Sequence, residues 1–346
     1  MPIAAIVSFR LGLHDGVSVV AAGWGRALTG LGFAVRTMAG EGPVAVCLPG
    51  LAMGATTPPT ASELVGALAD VDLVVVENLC TIPLNLAAAR VLARVLRGRP
   101  AILHHHDPPW QRPHLAHVTE LPPDDPGWLH VTVNRLTQRE LADRGIVATT
   151  IYNGFAEPPP ADREATRTSL GITDSTRLVI HPVRAIPRKN VPAALALAGA
   201  LDATYWLLGP AEDGYGPELE AVLRRARCPV LFRPSPTGSV HDAYAAADVV
   251  AFPSTWEGFG NPPIEAALHR RPAAVGVYPV AQELRTFGFR WFDPGDPAAL
   301  RQYLSAPAGE RAALLDHNRA VAVEHFSEER MAADIERLLR GAGWLP

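Results

Sequence analysis

The stretch Asp248-Val249-Val250-Ala251-Phe252-Pro253-Ser254-Thr255-Trp256-Glu257-Gly258-Phe259-Gly260-Asn261-Pro262-Pro263-Ile264-Glu265 decides how the rest of the chain is read. Residues 248–252 form a short apolar run of the kind buried on both faces of a parallel sheet. Gly258 and Gly260 permit a tight turn in which backbone approaches a ligand. Pro262 or Pro263 suits the first position of a helix, where the missing N–H has no partner anyway. A strand, a glycine turn and a helix start in succession present N–H groups and partial positive charge to an anion at the carboxyl end of a strand.

Working outward, short apolar runs alternate with helical patterns. Strands are expected at 3–9, 33–38, 44–48, 72–77, 100–105, 130–134 and 148–152, then at 177–183, 203–208, 229–233, 248–252 and 273–277. Helices are expected between them, at 17–30, 83–97, 135–144, 189–200, 216–227 and 261–269, with two more at 307–324 and 328–340. Such alternation predicts a doubly wound α/β fold. Pro158-Pro159-Pro160 forms a stiff spacer near the midpoint, dividing the chain into two α/β domains with a cleft between them.

Composition narrows the function. The net charge is -4 and neither half is basic, which argues against a nucleic-acid partner. Three scattered cysteines exclude a disulfide scaffold and a cysteine zinc site, and fit a cytoplasmic setting. There is no apolar span long enough for a membrane helix. The Arg90/Arg94/Arg97 stripe reads as a solvated helix face rather than a lipid contact. Asp70-Val71-Asp72 precedes a strand instead of following one, so it reads as a turn and not a metal–diphosphate motif.

Three further segments carry candidate chemistry. Arg184, Arg188 and Lys189 follow the strand 177–183, and cations there can neutralise a diphosphate without a metal. Lys189 is the single Lys among 31 basic residues. His104-His105-His106-Asp107 ends a strand. Alternate residues face opposite ways, so the run cannot offer three imidazoles to one ion, and no acidic partner stands at ligand spacing. A histidine lining the cleft and satisfied structural histidines are the readings that stay open. Arg10–Ser18 contains Gly16 but lacks GxGxxG, which disfavours a dehydrogenase.

The stretch Glu257 to Glu265 resembles the E-x7-E motif of the retaining GT-B glycosyltransferases of the group 1, family 4 type. Arg184 and Lys189 are similar to that family's Arg…Lys pair, and Asn153-Gly154 to its hinge entry. The resemblance implies two Rossmann-like domains with parallel sheets facing a central cleft. One is an acceptor-side domain, 1–155, and the other a donor domain, 163–327, with the final helix 328–346 packed back on the first. It implies a nucleotide-sugar donor, UDP- or GDP-linked, a hydroxyl acceptor and no metal. Arg184 and Lys189 would bind the diphosphate, Glu265 the ribose and Glu257 the sugar hydroxyls. Backbone at Gly258, Phe259, Gly260 and Asn261 would complete the grip, with Gly16 near the diphosphate and His106 beside the sugar. The expected reaction is hexosyl transfer with retention. A nucleotide-sugar epimerase or hydrolase, or a non-catalytic nucleotide-sugar binder, is the alternative.

Overall fold

The computed structural model describes residues 1–13, 15–232 and 239–346. His14 in the first loop and the last residue of the expected strand 229–233 lie outside them. The chain divides into two compact units, Met1–Phe155 with Glu328–Pro346, and Ala156–Ser327.

The first unit runs β1 (Ile3–Arg10), α1 (Gly16–Gly30), β2 (Ala34–Glu41), β3 (Val46–Cys47), α2 (Ala61–Ala67), β4 (Leu73–Glu77), α3 (Leu86–Leu96), β5 (Ala101–His105), β6 (Trp128–Thr132), α4 (Arg135–Ala142) and β7 (Ala148–Thr150). Its seven strands pair in parallel in the order β3-β2-β1-β4-β5-β6-β7. Strand alternation feeds two cores. Ala5, Val7 and Phe9 of β1 enter one, against α2 and α3, while Ala4 and Ile6 enter the other, against α1. Order reverses between β1 and β4, so the loops after β1, β4 and β5 crowd the crevice where doubly wound sheets bind ligands.

The second unit runs α5 (Arg163–Ser169), β8 (Leu178–His181), α6 (Val191–Ala200), β9 (Thr204–Leu207), α7 (Gly216–Arg224), β10 (Val230–Phe232), α8 (Val240–Ala246), β11 (Val249–Phe252), α9 (Asn261–Leu268), β12 (Ala273–Val275), α10 (Pro279–Arg285), α11 (Pro297–Ser305) and α12 (Ala308–Phe326). Its parallel sheet has the order β10-β9-β8-β11-β12, so the reversal falls between β8 and β11. Those are the strands that carry the two most informative loops of the sequence.

The last helix, α13 (Glu328–Ala342), belongs to the first unit. Met331, Ile335 and Leu339 complete the core around Trp24 and Leu28. The Glu328 N–H donates to the Phe155 carbonyl at 3.1 Å, so the outgoing and returning chains lie side by side.

Five short helices, α2, α5, α8, α10 and α11, escape the sequence reading. None exceeds nine residues. Local chemistry holds some of them instead of a long apolar stripe: a Thr60/Glu63 capping box starts α2, and Asp162 caps α5. Asp70 pairs with Arg36 at 2.7 Å, and Asp72 accepts the Ile3 N–H at 2.7 Å, so both acids serve the fold. Arg90 pairs with Glu120 at 2.5 Å. No helix among the described residues is long and apolar enough to cross a membrane.

Candidate active site

In the second unit, β8 delivers a loop whose Pro187–Lys189 segment is a single 3-10 turn. Asn190 follows in the left-handed region, with φ of 55°, and its side chain caps α6. The expected helix at 189 therefore starts two residues later, because this turn aims Lys189 back toward the sheet. Lys189 is 9% exposed. Its Nζ donates to Glu257 Oε1 at 2.6 Å and lies 5.2 Å from the centre of the Phe252 ring. Arg188 donates to the other Glu257 oxygen and, at 2.8 Å, to the Trp256 carbonyl.

Burial pulls the Lys189 ammonium down to about 8; Glu257 supports its charge and Arg188 opposes it. Burial pushes Glu257 up, but the two cations outweigh it and hold the carboxyl below its usual range. The result is a buried carboxylate clamped between two cations at the sheet's reversal point. Arg184 is placed differently from Arg188. It pairs with Glu212 and its side chain is 37% exposed. Of the expected pair, Lys189 reaches Glu257, and Arg188 rather than Arg184 is its companion.

The glycine turn is as tight as the sequence suggests. Gly260 has φ of 99°, and a Cβ there would sit 2.4 Å from the Tyr278 hydroxyl. Phe259 turns inward and packs edge-on against Phe326 at 6.1 Å. Helix α9 begins at Asn261, one residue before the expected prolines. Pro262 and Pro263 therefore fall inside its first turn, where they carry no N–H. Two of the four donors that a helix start usually presents are absent, which weakens its pull on an anion. Gly258 is partly buried in the same turn. One turn along α9, Glu265 accepts from the Tyr244 hydroxyl at 2.5 Å. Burial raises the Glu265 carboxyl and Tyr244 holds it down. Tyr244, which stacks on His269, is a partner that sequence reasoning missed.

In the first unit, Asp15 caps α1, accepting from the Val17 and Ser18 N–H groups at 3.1 and 3.2 Å. Gly16 begins that helix, and a Cβ there would meet nothing within 4 Å. The histidine run splits by strand alternation. His105 faces Thr81 and His130, at 2.7 and 2.9 Å. His104 and His106 turn to the other face. There Glu77, directly opposite His104 in the β4–β5 register, lies 2.9 Å from His104 Nδ1 and 2.7 Å from His106 Nε2. Burial opposes ionisation of Glu77, but the two imidazoles outweigh it and hold the carboxyl at about 2. The run does have an acidic partner. It comes from the neighbouring strand, 27 to 29 positions back, where sequence spacing gives no sign of it. These three are the described residues able to converge on a metal.

Two parallel α/β units, each with candidate site loops at its reversal point, are the architecture of the GT-B class. Residues 183–306 match the model of the group 1 glycosyl transferases. A mannosylglucosylglycerate synthase of Thermotoga maritima is 24% identical, over 96% of this chain and 98% of its own. A D-inositol 3-phosphate glycosyltransferase of Mycolicibacterium vanbaalenii is 31% identical over 50% of this chain and 44% of its own. Among solved structures, Anabaena Alr3699/HepE in complex with UDP-glucose superimposes with a TM-score of 0.74. It is 21% identical, over 98% of this chain and 100% of that one. The glycosyltransferase WaaG gives 0.67 at 16% identity, over 96% and 99%. Residues 183–306 thus carry a domain of the group 1 glycosyl transferase type, and the chain is a glycosyltransferase of GT-B fold.

Proposed function

We propose that the chain moves a hexosyl group from a UDP- or GDP-linked sugar to an acceptor hydroxyl, with retention at the anomeric carbon and without a metal. The observation that carries this reading is the Lys189–Glu257 contact, flanked by Arg188, at the β8/β11 reversal. In the resting state the cations are held by Glu257. A diphosphate competes for them, and Glu257, once released, can accept from sugar hydroxyls. The same exchange readies both halves of the donor grip. The cations then stabilise charge that grows on the departing phosphate. Glu265 accepts from the ribose hydroxyls with the oxygen that Tyr244 leaves open. Backbone at Gly258, Phe259, Gly260 and Asn261 adds short-range contacts. Arg184 sits close enough to depress Lys189 and adds positive field. At the carboxyl ends of β1 and β5, Gly16 and His106 are the first unit's candidates for donor contact.

In the transfer step the anomeric C–O bond to the diphosphate breaks, and the acceptor oxygen attacks the same face. Its proton passes to the departing phosphate oxygen, so no separate base is required. The UDP-glucose complex of the Anabaena neighbour and the sugar-transferring relatives support this donor class.

Thermal-shift screening against nucleotide sugars identifies the donor, because a ligand that binds the native state raises the melting temperature. Proton NMR of the product then reads the anomeric configuration, with EDTA present and absent. Retention and EDTA resistance are expected. An inverted product, or strong inhibition by EDTA, overturns the reading. Nucleotide release that needs no acceptor assigns the chain to hydrolysis instead.

A further inference from the structure

We infer that Glu77, His104 and His106 form a binding site for one divalent transition-metal ion of the zinc class. This goes beyond the proposed transfer chemistry, in which no metal takes part and His106 alone of the three is a candidate donor contact. His104 and His106 share one face of the chain leaving β5, and β4 sets Glu77 opposite His104. One ligand atom from each lies within 4.8 Å of the others, and all three residues are buried. Two polar atoms at this spot, Glu77 Oε1 and His104 Nε2, are buried without a hydrogen-bond partner, while His104 Nδ1 meets only the Glu77 carboxylate. Orphaned buried atoms are rare, and two in one place point to a missing ligand.

The donor set of two imidazoles and a carboxylate suits zinc or its first-row neighbours, whereas magnesium and calcium seek oxygen. Zinc holds such ligands at about 2.0–2.2 Å, which puts tetrahedral donor atoms roughly 3.3 Å apart. Glu77 now lies 2.9 Å from His104 and 2.7 Å from His106, so each contact opens by about half an ångström to admit the ion. The frame around them is firm. Trp24, fully buried, packs on His104 at 4.7 Å between ring centres. Asn78 Oδ1 accepts the backbone N–H groups of His106 and Asp107, each at 3.2 Å. Binding sends the ring protons that now point at Glu77 to solvent. A water completes the coordination.

The test is calorimetric titration of metal-stripped full-length protein with zinc alone, followed by the visible spectrum of the cobalt-loaded protein. One ion per chain is expected, with proton release and a tetrahedral cobalt spectrum lacking a thiolate charge-transfer band. Losing even a supporting neighbour of a metal ligand weakens binding roughly 10- to 100-fold, so Glu77→Gln and His104→Gln are each expected to cost about 100-fold or more. Exposed-site variants His114→Ala and Cys47→Ser are expected to bind as the parent does. The inference is overturned if the parent takes up no zinc, if His104→Gln binds as tightly as the parent, or if cobalt shows a thiolate band. Should Glu77→Gln fail to fold, the cobalt spectrum of the parent and the His104→Gln titration decide the matter. Each arm reads metal uptake with no donor present, and EDTA inhibition is compared in His104→Gln, which lacks the site, so failure of the transfer reading and failure of this one are told apart.

Discussion

Replacing Lys189 with Ala tests the donor grip most directly. Removing one preorganised charge contact to a transition state costs about 2.7–4 kcal/mol, or 100- to 1000-fold in turnover. The lower end applies here, since Arg188 stays on the same carboxylate and Arg184 stays nearby. The stability cost has a separate origin. Truncating one member of a buried ion pair costs about 3–5 kcal/mol when the other charge is left alone. Glu257 keeps Arg188 and the Trp256 carbonyl keeps its donor, so the loss is expected to be nearer about 1–3 kcal/mol, the range for an imperfectly satisfied buried group. Initial rates of transfer, with melting temperature and circular dichroism measured in parallel, separate the two effects. A cycle with Glu257→Gln adds a second reading. If Lys189 acts on phosphate and Glu257 on sugar, the two losses multiply. If they act only as a pair, the double variant resembles either single one. A folded Lys189→Ala protein with unchanged turnover would falsify the assignment. Lys189→Arg is expected to recover only part of the activity, because a planar fork cannot take the place of a compact ammonium in this buried slot.

Three more outcomes follow from the same contacts. Lys189 is charged below about 8 in the free protein, so donor kcat/KM should fall as pH rises through that value. The corresponding limb in kcat should lie higher, since bound phosphate favours the charged amine; a flat kcat/KM profile to pH 10 contradicts this. Tyr244→Phe removes the bond that holds Glu265 down, so Glu265 should protonate at higher pH and donor KM should rise as pH falls, earlier than in the parent. An unaltered acid limb argues against Glu265 as the ribose acceptor. Gly16→Ala meets no atom in the fold and should leave stability level or raise it by up to about 1 kcal/mol, read as an unchanged or slightly higher melting temperature. Weaker donor binding in that stable variant assigns the open space to the ligand, and unchanged binding removes Gly16 from the site.

Much of this was legible from residue order, because parallel sheets write buried strands as continuous apolar runs. All twelve expected strands are present, displaced by up to three residues at their described ends. Helices with a broad apolar face, such as α3, were equally plain. Five helices of seven to nine residues, α2, α5, α8, α10 and α11, were not, because they are held by caps and by neighbours distant in sequence. Arg163, for example, binds the carbonyls of Ala245, Ala246 and Ala247 at the end of α8. The site followed the same rule. Glu257 and Glu265 stood out because the turn between them is local. Arg188 as the partner of Glu257 was not legible, because a left-handed Asn190 and a 3-10 turn choose which side chains point inward. Glu77 and Tyr244 lie on other elements, and only strand register or helix packing brings them in.

The adjoining Phe155 and Glu328 have a consequence for biosynthesis. The second unit is an uninterrupted insert, complete once residue 327 has been made. The first unit, although it is synthesised first, lacks Met331, Ile335 and Leu339 until the end. On the ribosome the second unit can therefore reach its native state while the first still exposes the apolar face around Trp24 and Leu28. A chain stalled before 328 would carry a finished five-stranded sheet joined to a sticky, unfinished first unit. The final fifteen-residue helix acts as the clasp that closes the protein.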